Sequence, residues 1–332
     1  MSEELIKVTR SGLVESIYRG DIVVVNAEGK ILAHKGNPMK YTYWRSAAKP
    51  IQALNVFLSG ANEHYNFTNK EIAVICASHY GEEPHLEAVR SILQKIGADE
   101  TYFRGGLATS LKMEYALELA SKGVAPSAIL SDCSGKHSGM LAVCKHKGYS
   151  TDDYLSPQHP CQQEILDAIS YMCNIDKNEI KIGIDGCSAP VHAMPLYNMA
   201  LGYARLTNNS ELSDDYKNAS NKIFEAMTSE PFMISGSDGF CTNLIMHTNR
   251  KLIGKVGAEG VYCVGVKDKN IGIAIKIESG SMDVLPPVVL KTLNFMGILT
   301  DEENKALLKY IRMENKNDNN LTVGFVETAF DF

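Results

Sequence analysis

The sequence predicts an α+β protein in which one antiparallel sheet is assembled from both chain ends, with a helical region inserted between them. Three observations carry this expectation. Short apolar runs bounded by turn residues crowd both termini, and runs with helical spacing fill the middle. No internal repeat, low-complexity tract or long linker divides the 332 residues. One domain is therefore expected, with its sheet part near 1–45 and 250–332 and its helical part near 46–249.

Taken in order, Leu13–Tyr18 and Asp21–Val25 read as short strands, and Lys30–His34 follows the turn signal Glu28-Gly29. The spacing of apolar residues predicts helices over 46–58, 84–97, 111–122, 137–147, 161–173 and 211–228. Leu252–Val256, Val261–Val266 and Ile271–Ile277 are strand-like, and the polar Lys267-Asp268-Lys269-Asn270 joins the last two as a hairpin. Asp301–Met313 carries Leu307, Leu308 and Ile311 as a helical stripe. A short strand is expected near Leu321–Phe325, after the surface loop 313–320.

Composition narrows the function. Apolar residues make up 45% of the chain and charged residues 22%, which suits a protein with a buried core. A formal charge of −6 provides no basic field for nucleic acid or an anionic membrane. The N-terminal MSEELIKVTRSG is charged and lacks the apolar stretch of a signal peptide, and no apolar run is long enough to span a bilayer. A cytoplasmic location is expected. The eight cysteines contain no CxxC pair, and reduced, mostly buried thiols are expected in that compartment. Cys133 and Cys187 stand apart because both lie in Gly/Ser-rich loops.

The stretch YWRSAAKPIQAL, residues 43–54, raises the chemical question. Ile51, Leu54, Phe57 and Leu58 repeat at helical spacing, and Pro50 must lie in or just after the first turn because it lacks an N–H. Ser46 and Lys49, three residues apart, then share one face at a helix N-terminus. The same pattern also describes a helix-capping serine followed by a solvated lysine. A serine nucleophile paired with lysine requires an amine that can be neutral near pH 7, which calls for burial or a neighbouring cation. Two further elements match such an enzyme: Ser78 in ICASHYGE, and Lys255-Val256-Gly257 on a late strand running into GAEGV. Lys181-Ile182-Gly183 has the same form and dilutes the match; Lys255 is preferred because its strand leads into GAEGV, where glycines let a ligand approach the backbone.

Other patterns fail. CSGKHSG, 133–139, has Leu130 and His137 where a phosphate loop needs Gly and Ser/Thr. Neither GxSxG nor HExxH occurs.

WRSAAKPIQAL, ICASHYGE, DCSGKHSGML, DGCSAP and KVGAEGV together resemble the L-asparaginase II family of rhizobial-type enzymes, over nearly the whole chain. The resemblance implies a fold like that of serine β-lactamases and glutaminases, and a homodimer. It implies hydrolysis of the L-asparagine side-chain amide through an acyl-enzyme, with two Ser-Lys pairs, Ser46 with Lys49 and Ser78 with Lys255. It places Arg45 and His137 near the substrate. It also implies zinc beside the active site on Cys133, Lys136 and Cys187, with Asp185 close by. A substrate carrying an ammonium and a carboxylate needs both charges in its pocket. Arg45 suits the carboxylate, and Glu259 or Asp185 the ammonium.

Which serine is attacked stays open, as does the choice between asparagine and glutamine. Cys241 is expected either beside the pocket or as a core thiol. The rival readings are a β-lactam- or peptide-type serine hydrolase, a zinc- or thiol-based sensor, and a non-catalytic protein binding small amides.

Overall fold

The computed structural model describes residues 1–332. Its strands are β1 (Glu3–Arg10), β2 (Leu13–Val25), β3 (Ile31–Lys35), β4 (Tyr41–Tyr43), β5 (Lys181–Ile184), β6 (Pro190–Pro195), β7 (Leu252–Gly257), β8 (Val261–Val266), β9 (Ile271–Ile277), β10 (Met313–Lys316) and β11 (Thr322–Thr328). Eight of them form one antiparallel sheet in the order β10-β11-β1-β2-β9-β8-β7, with β3 paired to the far half of β2. The expected sheet drawn from both chain ends is present. Two details differ. β1 was not foreseen, and the two short strands expected within 13–25 are one strand, β2, running through Gly20. A Cβ at Gly20 would lie 2.4 Å from Lys276 O, so this glycine permits a close approach rather than a turn.

The helices Glu83–Lys95, Met113–Ser121, Ser134–Lys147, Pro160–Cys173 and Asp214–Ser229 lie where apolar spacing predicts them. Within the region expected to be helical sits a second, three-stranded sheet, β4-β6-β5. An unforeseen helix, Leu196–Thr207, is buried along nearly its whole length against β8 and β9 of the large sheet. Two glycines allow this. A Cβ at Gly272 would lie 2.0 Å from Ala200 O, and one at Gly265 would lie 2.7 Å from Tyr203 O. The predicted helix 301–313 is two short helices, Asp301–Ala306 and Leu308–Ile311, after which the chain turns into β10. No helix is long and apolar enough to cross a membrane.

Candidate active site

Four segments converge between the sheets and the helices. The first is the 3-10 turn Arg45–Ala48, continued by the helix Lys49–Gln52 with Pro50 in its first turn. That is where the missing proline N–H costs nothing. β7 packs against this turn, because a Cβ at Gly257 would lie 2.6 Å from Trp44 O. The glycine thus brings Lys255, two residues earlier on β7, alongside the start of the helix.

The second segment follows the helix Asn69–Ile75, which opens with a reciprocal Thr68/Glu71 capping box and ends at Cys76, delivering Ser78. The third is the helix Ser134–Lys147, which crosses it closely. A Cβ at Gly135 would lie 2.0 Å from Val74 O, and one at Gly139 would lie 2.8 Å from the Ile75 side chain. The glycines of CSGKHSG therefore serve helix-on-helix approach, consistent with the failed phosphate-loop match.

The fourth is the small sheet. β4 and β5 both pair antiparallel to β6, so they run parallel and both lead toward the start of β6. Arg45 follows the first and Asp185 the second, and the Arg45 Nε and Nη2 atoms each lie 2.9 Å from Asp185 Oδ1.

At the centre is the Ser78 hydroxyl, 3.0 Å from Lys49 Nζ and 2.8 Å from Lys255 Nζ. Ser78 is 5% exposed, Lys49 1% and Lys255 0%. Lys49 Nζ also donates to Ala77 O at 2.6 Å and Asp132 O at 3.1 Å, and it pairs with Asp132 Oδ2 at 3.2 Å. The second hydrogen bond of Lys255 goes to Val256 O at 2.8 Å. These surroundings drive the two amines apart. Burial, reinforced by the Lys49 ammonium, pushes Lys255 down to about 8. Burial acts most strongly on Lys49 and depresses it, but the Asp132 carboxylate, together with Cys133 and Cys187, more than offsets this and holds the amine above the ordinary lysine value. Asp132 in turn would be raised by burial, and the Lys49 charge keeps it below the usual carboxylate range. One lysine is thus poised near neutral pH while the other stays charged.

Ser46 is half-buried on the 3-10 turn, and neither lysine donates to its hydroxyl. Near it, Arg45 Nη1 lies 4.0 Å from Glu259 Oε1. Both residues hold left-handed backbone conformations, with φ of 52° and 61°. Each such conformation costs on the order of 1–3 kcal/mol in a non-glycine residue.

Behind this centre lies the thiol cluster. Lys136 Nζ donates to Cys187 Sγ at 3.0 Å. Cys187 is held well below the ordinary thiol range by the hydrogen bond from Cys133, with the Lys136 ammonium adding to the effect. Cys133, the donor, is raised correspondingly. His137 Nδ1 lies 2.7 Å from Tyr154 Oη, while its buried Nε2 has no hydrogen-bond partner. No group of three or more His, Cys, Asp and Glu side chains gathers in metal-binding geometry, so a metal here would depend on Lys136 as a donor.

The structure brings Lys49, Ser78 and Lys255 into contact, and likewise Arg45 with Asp185, and Lys136 with Cys187. Lys181, the competing Lys-x-Gly position, is exposed on β5. Cys241 is a buried thiol that accepts from Val256 N at 3.2 Å, directly behind Lys255's strand. Sequence reasoning did not single out Asp132. Its signal was present, since it is the acidic residue opening the DCSGKHSGML block, but its pairing with Lys49 spans 83 positions and depends on the fold. His79 was also passed over. Its Nδ1 accepts from Gly81 N at 3.1 Å, which leaves Nε2 to donate to Ser134 Oγ at 2.8 Å. Burial pushes His79 down to about 3, so it stays neutral.

The sequence profile of the L-asparaginase II family matches residues 6–328. No curated protein matches the chain significantly. Among solved structures, a β-lactamase from Mycobacterium bovis is similar at 12% identity and a TM-score of 0.44, covering 84% of this chain and 95% of its own. A protein from Bacteroides dorei described as a candidate β-lactamase is 12% identical with a TM-score of 0.42, covering 83% of this chain and 93% of its own. A protein named Mglu is 11% identical with a TM-score of 0.39, covering 85% of this chain and 63% of its own.

Proposed function

This chain belongs to the L-asparaginase II family, and from that premise we propose that it hydrolyses the side-chain amide of L-asparagine to aspartate and ammonia through an ester on Ser78. The observation that carries the reading is the convergence of two buried lysine amines, with opposite shifts in basicity, on one serine hydroxyl.

In the forward step neutral Lys255 takes the Ser78 proton as Oγ attacks the amide carbon. Lys49, kept charged by Asp132, supplies positive charge to the developing oxyanion. Collapse of the intermediate expels the amide nitrogen, which leaves as ammonia with the proton returned by Lys255. Water then attacks the ester with Lys255 again as base, releasing aspartate and restoring the serine. The charged ends of the amino acid meet Arg45 and its acidic neighbours Asp185 and Glu259. Glutamine differs by one methylene, a difference that an apolar pocket resolves by only about 1–3 kcal/mol.

One observation favours a second arrangement of the same groups. Ser46 is the more exposed serine, and with Ser46 as nucleophile Ser78 would relay its proton to the lysines.

Zinc fits the thiol cluster. Two sulfurs and an amine already converge there. Cys133, Cys187 and a deprotonated Lys136 would hold the ion, which when bound supplies a fixed positive charge beside the pocket. Metal analysis of the purified protein and of Cys187→Ala tests this, with stoichiometric zinc expected only in the parent.

The activity is tested by ammonia release from asparagine and glutamine, with Ser78→Ala and Ser46→Ala alongside. Turnover by the parent and its loss in Ser78→Ala are expected. A parent that releases no ammonia from either amide, with or without zinc, overturns the reading.

A further inference from the structure

Four lysines are buried in this chain: Lys49, Lys136, Lys255 and Lys276. The first three belong to the site described above. Lys276, on β9, is 8% exposed, and its hydrogen bond goes to no carboxylate. Its ammonium donates instead to the backbone carbonyl of Glu259. The nearby Glu278 is engaged by Lys40, 3.4 Å away, which also pairs with the buried Asp21 at 3.2 Å. A buried amine satisfied by a single carbonyl is costly, and an apolar residue would fill the same place on a buried strand more cheaply.

The carbonyl it grips belongs to the turn between β7 and β8. There Glu259 and Gly260 both have positive φ, 61° and 71°, a conformation that glycine adopts freely and glutamate does not. The turn is held from two more directions. Ile277 N donates to Gly260 O at 2.8 Å, and Gly280 lies so near Glu259 that a Cβ there would stand 2.6 Å from Glu259 Oε2. The consequence is a fixed direction for an otherwise exposed side chain, with Glu259 Oε1 4.0 Å from Arg45 Nη1.

We propose that Lys276 is a positioning residue for the amino-acid end of the substrate, gripping the Glu259 carbonyl so that the left-handed turn aims the Glu259 carboxylate across Arg45. The inference rests on the asparaginase reading, since it supposes a substrate with a free ammonium and carboxylate. Lys276 touches neither substrate nor reacting atoms. Its effect therefore falls on binding, through Glu259, and far less on the chemical step.

The test measures KM and kcat for asparagine, L-aspartate affinity by calorimetry, and thermal stability. The proteins compared are the parent, Lys276→Met, Lys276→Arg, Glu259→Gln and the double variant Lys276→Met/Glu259→Gln. Loss of one aimed charge contact should raise KM and the L-aspartate Kd about tenfold in Lys276→Met, with a much smaller change in kcat. Lys276→Arg should recover most of that loss, and the double variant should be no worse than the poorer single one. A fall in stability with KM and Kd unchanged overturns the proposal, as do fully additive losses in the double variant. A parent that binds L-aspartate but releases no ammonia sinks the asparaginase reading, and the Kd comparison still judges Lys276. A parent that does neither overturns both.

Discussion

Lys255→Met should abolish turnover and yet stabilise the fold at neutral pH. Lys255 is fully buried, and its amine falls from the ordinary 10.5 to about 8. That difference corresponds to about 3 kcal/mol of stability sacrificed to keep the charged amine inside at pH 7. Methionine has similar bulk and no charge. Against the gain stand two acceptors, Ser78 Oγ and Val256 O, that each lose a donor, at about 1 kcal/mol apiece. A net gain of about 1 kcal/mol is expected near neutrality.

The sign of the pH dependence is distinctive. Below pH 8 the amine is charged in both folded and unfolded parent, and the cost is fully present. Between about 8 and 10.5 the unfolded parent binds more protons than the folded one, so parent stability climbs with pH and the variant's advantage shrinks, then reverses. The single tryptophan, Trp44, is buried beside the site and reports unfolding directly. Urea unfolding followed by its fluorescence at pH about 7 and about 9.5 gives the comparison. A stability difference that does not change with pH would refute the burial argument, as would an advantage that grows.

Further predictions concern the site and its frame. Activity should rise along an acid limb near pH 8 as Lys255 loses its proton. In Lys49→Met the residual limb should move to more alkaline pH. The two amines both bond Ser78 and can lie no more than about 5.8 Å apart, which at an effective dielectric near 20 gives an interaction of about 3 kcal/mol. A kcat/KM profile with the limb unmoved would remove Lys49 from Lys255's surroundings. Arg45→Lys should raise KM for asparagine with little change in melting temperature, because an ammonium cannot reproduce the two-nitrogen contact to Asp185. An unchanged KM would take Arg45 out of substrate binding. Gly272→Ala should destabilise by about 1–3 kcal/mol or more, since its Cβ would stand 2.0 Å from Ala200 O. A melting temperature equal to the parent's would show that the helix Leu196–Thr207 can shift without cost.

What the sequence made legible follows from which signals are local. The β7–β9 hairpins carry long apolar runs and a polar turn, and they are where their residues predict. The Ser-x-x-Lys spacing located a helix start because it records a constraint within a few residues, and the first glycine of GAEGV makes a close approach to the chain's own Trp44 carbonyl. The remaining elements lacked such a record. Leu196–Thr207 begins directly after β6 at Pro195, with no capping side chain and no acidic residue in its first turn, so nothing local marks its start. β5 and β6 are too short to stand out, and Pro190 and Pro195 bound the second of them. β1 lies between β11 and β2, but its few apolar residues, Leu5, Ile6 and Val8, stand among charged ones and give no strand-like run. The Thr68/Glu71 capping box was a readable helix start for Asn69–Ile75 that the apolar run obscured.

In the site, the pairs Ser78 with Lys255 and Lys136 with Cys187 that the resemblance implies are in contact, whereas Ser46 with Lys49 is not. Lys49 lies three residues from Ser46, yet in the fold it donates to Ser78, 29 positions away, and pairs with Asp132. The local spacing pointed to a lysine that the fold buries against a serine, while tertiary packing decided which serine that is.

The most direct test of serine acylation between two lysines is mass spectrometry of the protein quenched in acid during turnover of asparagine, with the modified peptide sequenced. An aspartyl ester on Ser78 is expected, and an ester on Ser46 would assign the attack to the more exposed serine. Steady ammonia release with no ester on either serine would contradict the serine-lysine mechanism.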